Sequence, residues 1–295
     1  MKSAEFYKNK VVLITGASMG IGKELALQIL QFGGKVIITG RNEARLLAVQ
    51  EEFHEYSEKL LIHTGDVGNY ENVVELIEKI ILNFDRLDVL INNAGMSTDF
   101  GELEIITDKV VHEIIDTNLK GTLFPSMAAI PKLKETKGSI LFISSIASFR
   151  GIPAYSLYSL SKMALTALAQ SLRIENKKAG LFVGIAYVGF TENESGKRAL
   201  SPDGKLNKIP IRNRLIARPR SLTAQIILSQ ISNRRPRKIH SIFGILIFIL
   251  GKYTPFVANL INEKIYNNKV RSRHSVEINS SYQKMNNTDN ISGTR

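Results

Sequence analysis

The 295-residue sequence contains no cysteine, which excludes disulfides, thiolate nucleophiles and Cys-ligated metals. Histidine is scarce too. His54, His63, His112, His240 and His274 are scattered without ligand spacing, so no metal site is expected. The opening Met1-Lys-Ser-Ala-Glu-Phe-Tyr-Lys8 lacks the apolar core of a signal peptide, and the expected compartment is the cytoplasm. The apolar run Ile242 to Leu250 is far shorter than the roughly 20 residues a helix needs to cross a bilayer, and Gly251, Lys252 and Pro255 interrupt any extension. No internal repeat is present. Acidic residues are nearly absent from the last third of the chain: residues 196–295 hold 19 Lys/Arg against 4 Asp/Glu, whereas residues 1–195 hold 20 against 23. The net charge of +12 therefore resides in the C-terminal part. Its basic residues show no regular aromatic interleaving and no recognisable binding module, which disfavours nucleic acid as a partner.

With 44% hydrophobic residues, the chain can bury a substantial core as one domain. Apolar, β-rich runs at Val11–Thr15, Val36–Thr39, Leu60–His63, Val89–Ile91, Ile140–Ser144 and Phe182–Val188 alternate with stretches of helical periodicity. Nearly continuous hydrophobicity suits parallel strands covered on both faces, so the expected fold is a Rossmann-like, doubly wound parallel sheet in a three-layer α/β/α sandwich with a C-terminal extension. The expected organisation is an N-terminal lead at 1–9, a cofactor-binding and catalytic core at 10–192, and a substrate lid or exposed loop at 193–220. A basic and apolar segment at 221–270 completes the domain, and a disordered tail follows at 271–295. Gly196, Pro202, Asp203-Gly204, Pro210 and Pro219 mark the lid.

Two motifs carry chemistry. Thr15-Gly16-Ala17-Ser18-Met19-Gly20-Ile21-Gly22 joins the first strand to a helix, where phosphate oxygens can rest on uncapped N–H groups. Gly16 suits the tight turn, Gly20 a close approach of the pyrophosphate, and Gly22 tight packing of the helix. Tyr158 and Lys162, four residues apart on a helix, share one face, so the cation favours the phenolate and makes a proton donor. Ser145 lies thirteen residues upstream of Tyr158.

Together with Asn92-Asn93-Ala94-Gly95 and Asn118, these residues make the chain resemble the classical short-chain dehydrogenase/reductase family from about Lys10 to Phe190. The resemblance implies that Tyr158 is the general acid in carbonyl reduction and that Lys162 lowers its pKa and bonds the nicotinamide ribose. It implies further that Ser145 holds the substrate oxygen, and that Asn118 fixes a water in a proton relay to Lys162. Strand alternation turns the neighbouring Ser144 to the opposite face. Asp66 with Val67 would meet the adenine, Asn93, Ala94 and Gly95 would line the ribose, and Asn92 would brace the turn. Ser18, Met19 and Ile21 complete the phosphate-binding turn. Downstream, Val188 stands where the family has proline, and Asn193 where it has Thr. Gly189 and Thr191 remain to meet the nicotinamide carboxamide.

The second strand ends in Gly40-Arg41 where an NAD enzyme places a carboxylate, so NADP(H) is favoured over NAD(H). Met19 occupies a place where many NADP-preferring relatives carry a second basic residue. The expected function is an NADP(H)-dependent oxidoreductase interconverting a ketone or aldehyde, hydrophobic or lipid-like, with its alcohol. The alternatives are an NAD-dependent alcohol dehydrogenase working oxidatively and a non-catalytic NADP-binding scaffold. A homodimer or homotetramer is expected through the helices near 108–132 and 155–178. Residues 239–261 have three readings: a buried final strand plus core helix, a dimer contact, or a surface element on an anionic membrane with its basic neighbours from Arg234 onward.

Overall fold

The computed structural model describes residues 2–194, 196–213 and 217–271. Six strands follow the apolar runs: β1 (Val11–Thr15), β2 (Lys35–Gly40), β3 (Leu60–Thr64), β4 (Val89–Asn92), β5 (Ser139–Ser145) and β6 (Phe182–Val188). A hairpin of β7 (Arg198–Leu200) and β8 (Leu206–Lys208) precedes a last strand, β9 (Arg237–Ile239). The main sheet has seven strands in the order β3-β2-β1-β4-β5-β6-β9, all neighbouring pairs being parallel. Strand order reverses between β1 and β4, which opens the crevice in which doubly wound sheets bind ligands.

Alternate residues of each strand feed two cores. Val12 and Ile14 pack with Leu25 and Ile29 of α2 (Gly20–Gln31) and Leu46 of α3 (Glu43–Glu52). Val11 and Leu13 pack on the other face, with Leu76 and Ile80 of α4 (Tyr70–Phe84), Leu133 of α6 (Gly121–Glu135) and Leu165 of α7 (Ser156–Glu175). Each fully buried Leu or Ile adds about 1.5–3 kcal/mol over its exposed state, which explains why strands covered on both sides read as unbroken apolar runs. α5 (Asp108–Ile115) is separated from α6 by a single π-helical turn, Asp116–Lys120, and this turn carries Asn118.

The expected lead at 1–9 belongs to the core instead. It forms α1 (Lys2–Tyr7), whose Tyr7 is fully buried and donates its hydroxyl to the Leu228 carbonyl at 3.2 Å in α8 (Arg220–Ser232). At the opening end of the sheet, buried Asp88 accepts from the Val11 amide at 3.0 Å and from Lys10 and Arg86 at 2.9 and 2.6 Å.

The lid region is a folded hairpin, its strands too short for periodicity to reveal. Leu200 exchanges backbone hydrogen bonds with Ser97 and Asp99, and Leu200 itself packs against Val110, Ile114 and Leu157. The parts of the expected lid at 195 and 214–216, and the expected tail from 272 on, lie outside the described residues. Arg271, assigned to that tail, is helical.

The final strand expected near Ile239 exists as β9. The helix after it, α9 (Ile242–Tyr253), is not a core helix, because only Gly244 is buried. Residues 255–271 are also helical.

Candidate active site

The turn after β1 is shaped by close approach. Gly16 has φ +63°, and a Cβ there would lie 2.7 Å from the Ala94 Cα. Gly20, also at φ +63°, faces open space. A Cβ on Gly22 would meet the Asn93 amide at 2.5 Å and the Gly16 carbonyl at 2.8 Å, so this glycine serves the turn itself rather than packing of the helix on the sheet. α2 begins after Met19 without a side-chain cap, leaving its first N–H groups for an acceptor. The open face of Gly20 beside these donors fits a cofactor diphosphate.

The bracing expected of Asn92 falls to Asn93. The Asn93 side chain donates to the Thr15 and Gly16 carbonyls, both at 2.9 Å, and its backbone N–H donates to Thr15 Oγ1. Asn92, the last residue of β4, points to α6 and donates to Ser126 Oγ at 3.0 Å. With the Asn93 amide so engaged, the surface left for a ribose comes from Ala94 and Gly95.

Ser145 ends β5, where its hydroxyl accepts from the Ala147 amide at 3.2 Å, and Tyr158 stands near the start of α7. Ser144 is spent elsewhere, on the Lys162 carbonyl at 3.0 Å. Burial raises the Tyr158 phenol above its usual pKa, while the Ser145 side chain and the charge of Arg212 pull it down. Lys162 is 6% exposed; its ammonium donates to the Ile143 carbonyl at 3.3 Å and lies against Gly95. Burial, aided by the charge of Lys197, lowers the Lys162 pKa to about 8. The lowering of Tyr158 expected from Lys162 is absent: burial prevails, and the cation whose charge acts on the phenol is Arg212. This residue, missed in the sequence, is held by the Thr191 carbonyl and the Phe190 ring.

Asn118 is fully buried. Its Oδ1 accepts from the Met96 amide at 2.7 Å and its amide donates to the Met96 carbonyl and to Ser161 Oγ, tying the turn after β4 to α7. A π-helical turn is a frequent mark of a functional site, and this one aims the side chain inward.

Asp66 accepts from the Gly68 amide at 2.8 Å, closing a turn beside buried Val67, and its other oxygen lies 3.9 Å from Arg41. Arg41 also reaches Glu113 at 3.3 Å and Met96 Sδ at 3.3 Å, so three side chains converge at the end of β2. Ser18 lies beside Gly40, and Ile21 packs on the core. Arg45, which the sequence reading passed over, extends from the first turn of α3 to Met19 Sδ at 3.6 Å. The cap that starts α3, Asn42 accepting from the Arg45 amide, sets this direction; its signal was the i, i+4 spacing from Arg41.

Past β6, a Cβ on Gly189 would meet Ser241 Oγ at 2.6 Å. The Thr191 hydroxyl pairs with Thr223 at 3.3 Å. Asn193 holds the Ile209 and Pro210 carbonyls and accepts from the Arg212 amide, pinning the hairpin segment to the site. Phe190, 41% exposed, stacks on Phe243 of α9 with centroids 5.9 Å apart.

Residues 10–202 match the profile of a family described as short chain dehydrogenase. Among curated proteins, an 11-beta-hydroxysteroid dehydrogenase-like 4A of Arabidopsis thaliana is 36% identical over 196 residues, 65% of this chain and 64% of the relative. The chain thus aligns with less than two thirds of that relative's length. An uncharacterized oxidoreductase of Staphylococcus saprophyticus is 36% identical over 182 residues, covering 60% of this chain and 76% of the relative. A short-chain dehydrogenase from Streptomyces avermitilis shares the fold with TM-score 0.73 at 23% identity, over 89% of this chain and 99% of its own. An alcohol dehydrogenase from Thermococcus sibiricus, solved with 5-hydroxy-NADP, has TM-score 0.68 at 26% identity, over 78% of this chain and 95% of its own. Matched in sequence across its catalytic core and in topology across the sheet, the chain belongs to the short-chain dehydrogenase family.

Proposed function

We propose that this protein is an NADP(H)-dependent oxidoreductase that interconverts a hydrophobic ketone or aldehyde with its alcohol. The observation that carries this reading is that the Lys162 ammonium and Asn118 Oδ1 both lie against Gly95, in the turn after β4 that packs on Gly16 of the glycine-rich turn. The nicotinamide, when bound, supplies hydride to the carbonyl carbon. Ser145 then donates a hydrogen bond to the carbonyl oxygen and Tyr158 gives that oxygen its proton, so that one hydride and one proton complete the alcohol. Lys162, with its lowered pKa, reloads Tyr158 near neutral pH. Asn118 keeps the Met96 turn and α7 in register; a water serving Lys162 would be held beside it.

Two cations support the choice of NADP(H). Arg41 ends β2 where a 2′-phosphate would sit, and Arg45 reaches the glycine-rich turn at Met19, supplying the second basic group that the turn itself lacks. Solved neighbours hold either cofactor, an NADP derivative in the Thermococcus sibiricus enzyme and NADH in a Brucella melitensis reductase, so the preference rests on these two arginines. The Phe190–Phe243 stack at the rim suits a hydrophobic substrate.

Exposed Leu123 and Met127 on α6 and Leu160 and Met163 on α7 support homo-oligomerisation. A cytoplasmic enzyme with peripheral contact to anionic membranes completes the reading.

The test is turnover by the purified chain of NADPH and NADH with a panel of hydrophobic ketones, aldehydes and acyl-chain carbonyls. NADPH oxidation that depends on one of these substrates is expected. No turnover of any of them, with NADPH still bound, would favour the scaffold reading instead.

A further inference from the structure

The most apolar helix of the chain lies outside the core. α9 reads Ile-Phe-Gly-Ile-Leu-Ile-Phe-Ile-Leu-Gly-Lys-Tyr, yet Ile242 is 80% exposed and Leu246 52%. The helix over 255–271 repeats the pattern, with Phe256 72% and Leu260 51% exposed. Single exposed apolar residues are ordinary on protein surfaces, but two successive helices exposing such residues mark an interaction surface.

Their inner faces have a definite seat. Gly244 lets α9 approach Ile146 so closely that a Cβ would stand 2.7 Å from its Cγ2, and Phe248 packs on Phe149 with centroids 5.1 Å apart. Arg150 donates to the Pro255 carbonyl at 3.2 Å, Asn262 donates to the Gly151 carbonyl at 3.4 Å, and Lys269 donates to the Tyr155 hydroxyl at 3.1 Å. Both helices therefore sit on residues 146–155, the segment that joins Ser145 to Tyr158, and Phe243 reaches the rim at Phe190. The exposed apolar surface thus reaches Phe190, whose ring also carries Arg212.

Charge identifies what covers it. Residues 196–271 carry 16 Lys/Arg and 2 Asp/Glu, and the two helices themselves bring Lys252, Lys264 and Arg271 against Glu263, Lys269 being held on the inner face by Tyr155. A second copy meeting this surface across a two-fold axis would oppose like charges to like. The chain from 272 to 295 is rich in Asn and Ser and offers little apolar surface of its own. An anionic bilayer satisfies both features, taking apolar side chains at the acyl boundary and lysines among the headgroups. No helix among the described residues is long and apolar enough to cross a membrane, so the contact is with one leaflet.

We infer that α9 and the helix over 255–271 form a docking face for an anionic lipid surface and turn the Phe190–Phe243 rim toward the bilayer, from which the substrate enters. The docking stands on the two helices alone; the entry of a lipid-borne carbonyl rests on the reductase reading above. The face differs from the expected 234–261 segment. Arg234 is spent on the Lys137 and Gly180 carbonyls at the opening ends of β5 and β6, and Arg237 lies over the Phe248 ring at 4.3 Å.

The experiment is flotation of the full chain with vesicles of phosphatidylcholine alone and with added phosphatidylserine, at low and high salt. Wild type is expected to float with the anionic vesicles at low salt and to be released by salt. The double variant L246E/L260E should stay unbound while turning over a water-soluble ketone as wild type does, and K252E/K264E should lose several-fold in binding. Wild type that ignores anionic vesicles at low salt overturns the inference, as does a double variant that binds like wild type. So does a wild-type dimer that L246E/L260E splits without any change in vesicle binding. Vesicle binding is read without cofactor or turnover, so a protein that floats but reduces nothing would refute only the reductase reading.

Discussion

Arg45 lies with its guanidinium 3.6 Å from the sulfur of Met19, bridging the first turn of α3 and the glycine-rich turn. With Arg41, just past β2, it places two guanidinium groups beside the glycine-rich turn, that of Arg41 engaged by Asp66 and Glu113. A 2′-phosphate would replace those carboxylates as the partner of Arg41.

The cofactor preference should follow these two residues. Arg41→Asp removes a charge-assisted contact and adds repulsion, an effect of about 1.5–3 kcal/mol, or roughly tenfold or more in the NADPH/NADH ratio of kcat/KM. Arg45→Ala should raise KM for NADPH several-fold and leave that for NADH nearly unchanged. Equal use of both cofactors by wild type would contradict the assignment.

Tyr158→Phe keeps the ring and removes only the transferable proton. Turnover should be lost while NADPH binding, followed by fluorescence titration, persists. If the variant keeps turnover, Tyr158 is not the acid.

Acid should destabilise the fold through His240. Its ring is buried, with Nε2 paired to Gln230 Oε1 at 3.1 Å and Nδ1 without a partner, and burial together with Lys238 and Arg218 lowers its pKa to about 3. The unfolded chain, with an ordinary imidazole near about 6.5, binds the proton first. Stability is therefore fully present above about pH 6.5 and falls as pH drops toward about 3, by about 1.4 kcal/mol per pH unit. Urea midpoints across this range should show the slope, and His240→Asn should flatten it. A slope unchanged in the variant would assign the effect elsewhere.

Asp88→Ala should cost about 2–3 kcal/mol, because it leaves the buried Val11 amide unsatisfied and strips Arg86 and Lys10 of their partner. Lys10→Ala, removing a partly exposed cation, should cost less than about 1 kcal/mol. Thermal unfolding of the two variants measures the difference.

How much of this was legible depended on length and direction. Six strands could be read because parallel strands covered on both faces leave unbroken apolar runs, and the order of Ser145, Tyr158 and Lys162 marked the candidate site. β7 and β8, three residues each, are too short for a period to show. Asn93 rather than Asn92 braces the turn, because Asn92 still obeys the alternation of β4 and points to Ser126, whereas Asn93 has left the strand and turns toward Thr15. By composition, a core helix was one of three readings of the segment that forms α9. Its seat on Ile146 needs only a glycine-sized contact, so the remaining faces are left outward, and composition carries no record of that.

β9 has one further consequence. The candidate catalytic residues all precede β6, but among the described residues the free edge of β6 pairs only with Arg237–Ile239, almost fifty residues later in the chain. Every residue of β6 is buried, so until the ribosome has released that stretch the growing chain presents an apolar, unpaired strand edge to its neighbours. The two charges of β9, Arg237 and Lys238, then make the finished edge a poor template for strand addition. A protein shortened before residue 237 should keep its catalytic side chains and still aggregate through β6.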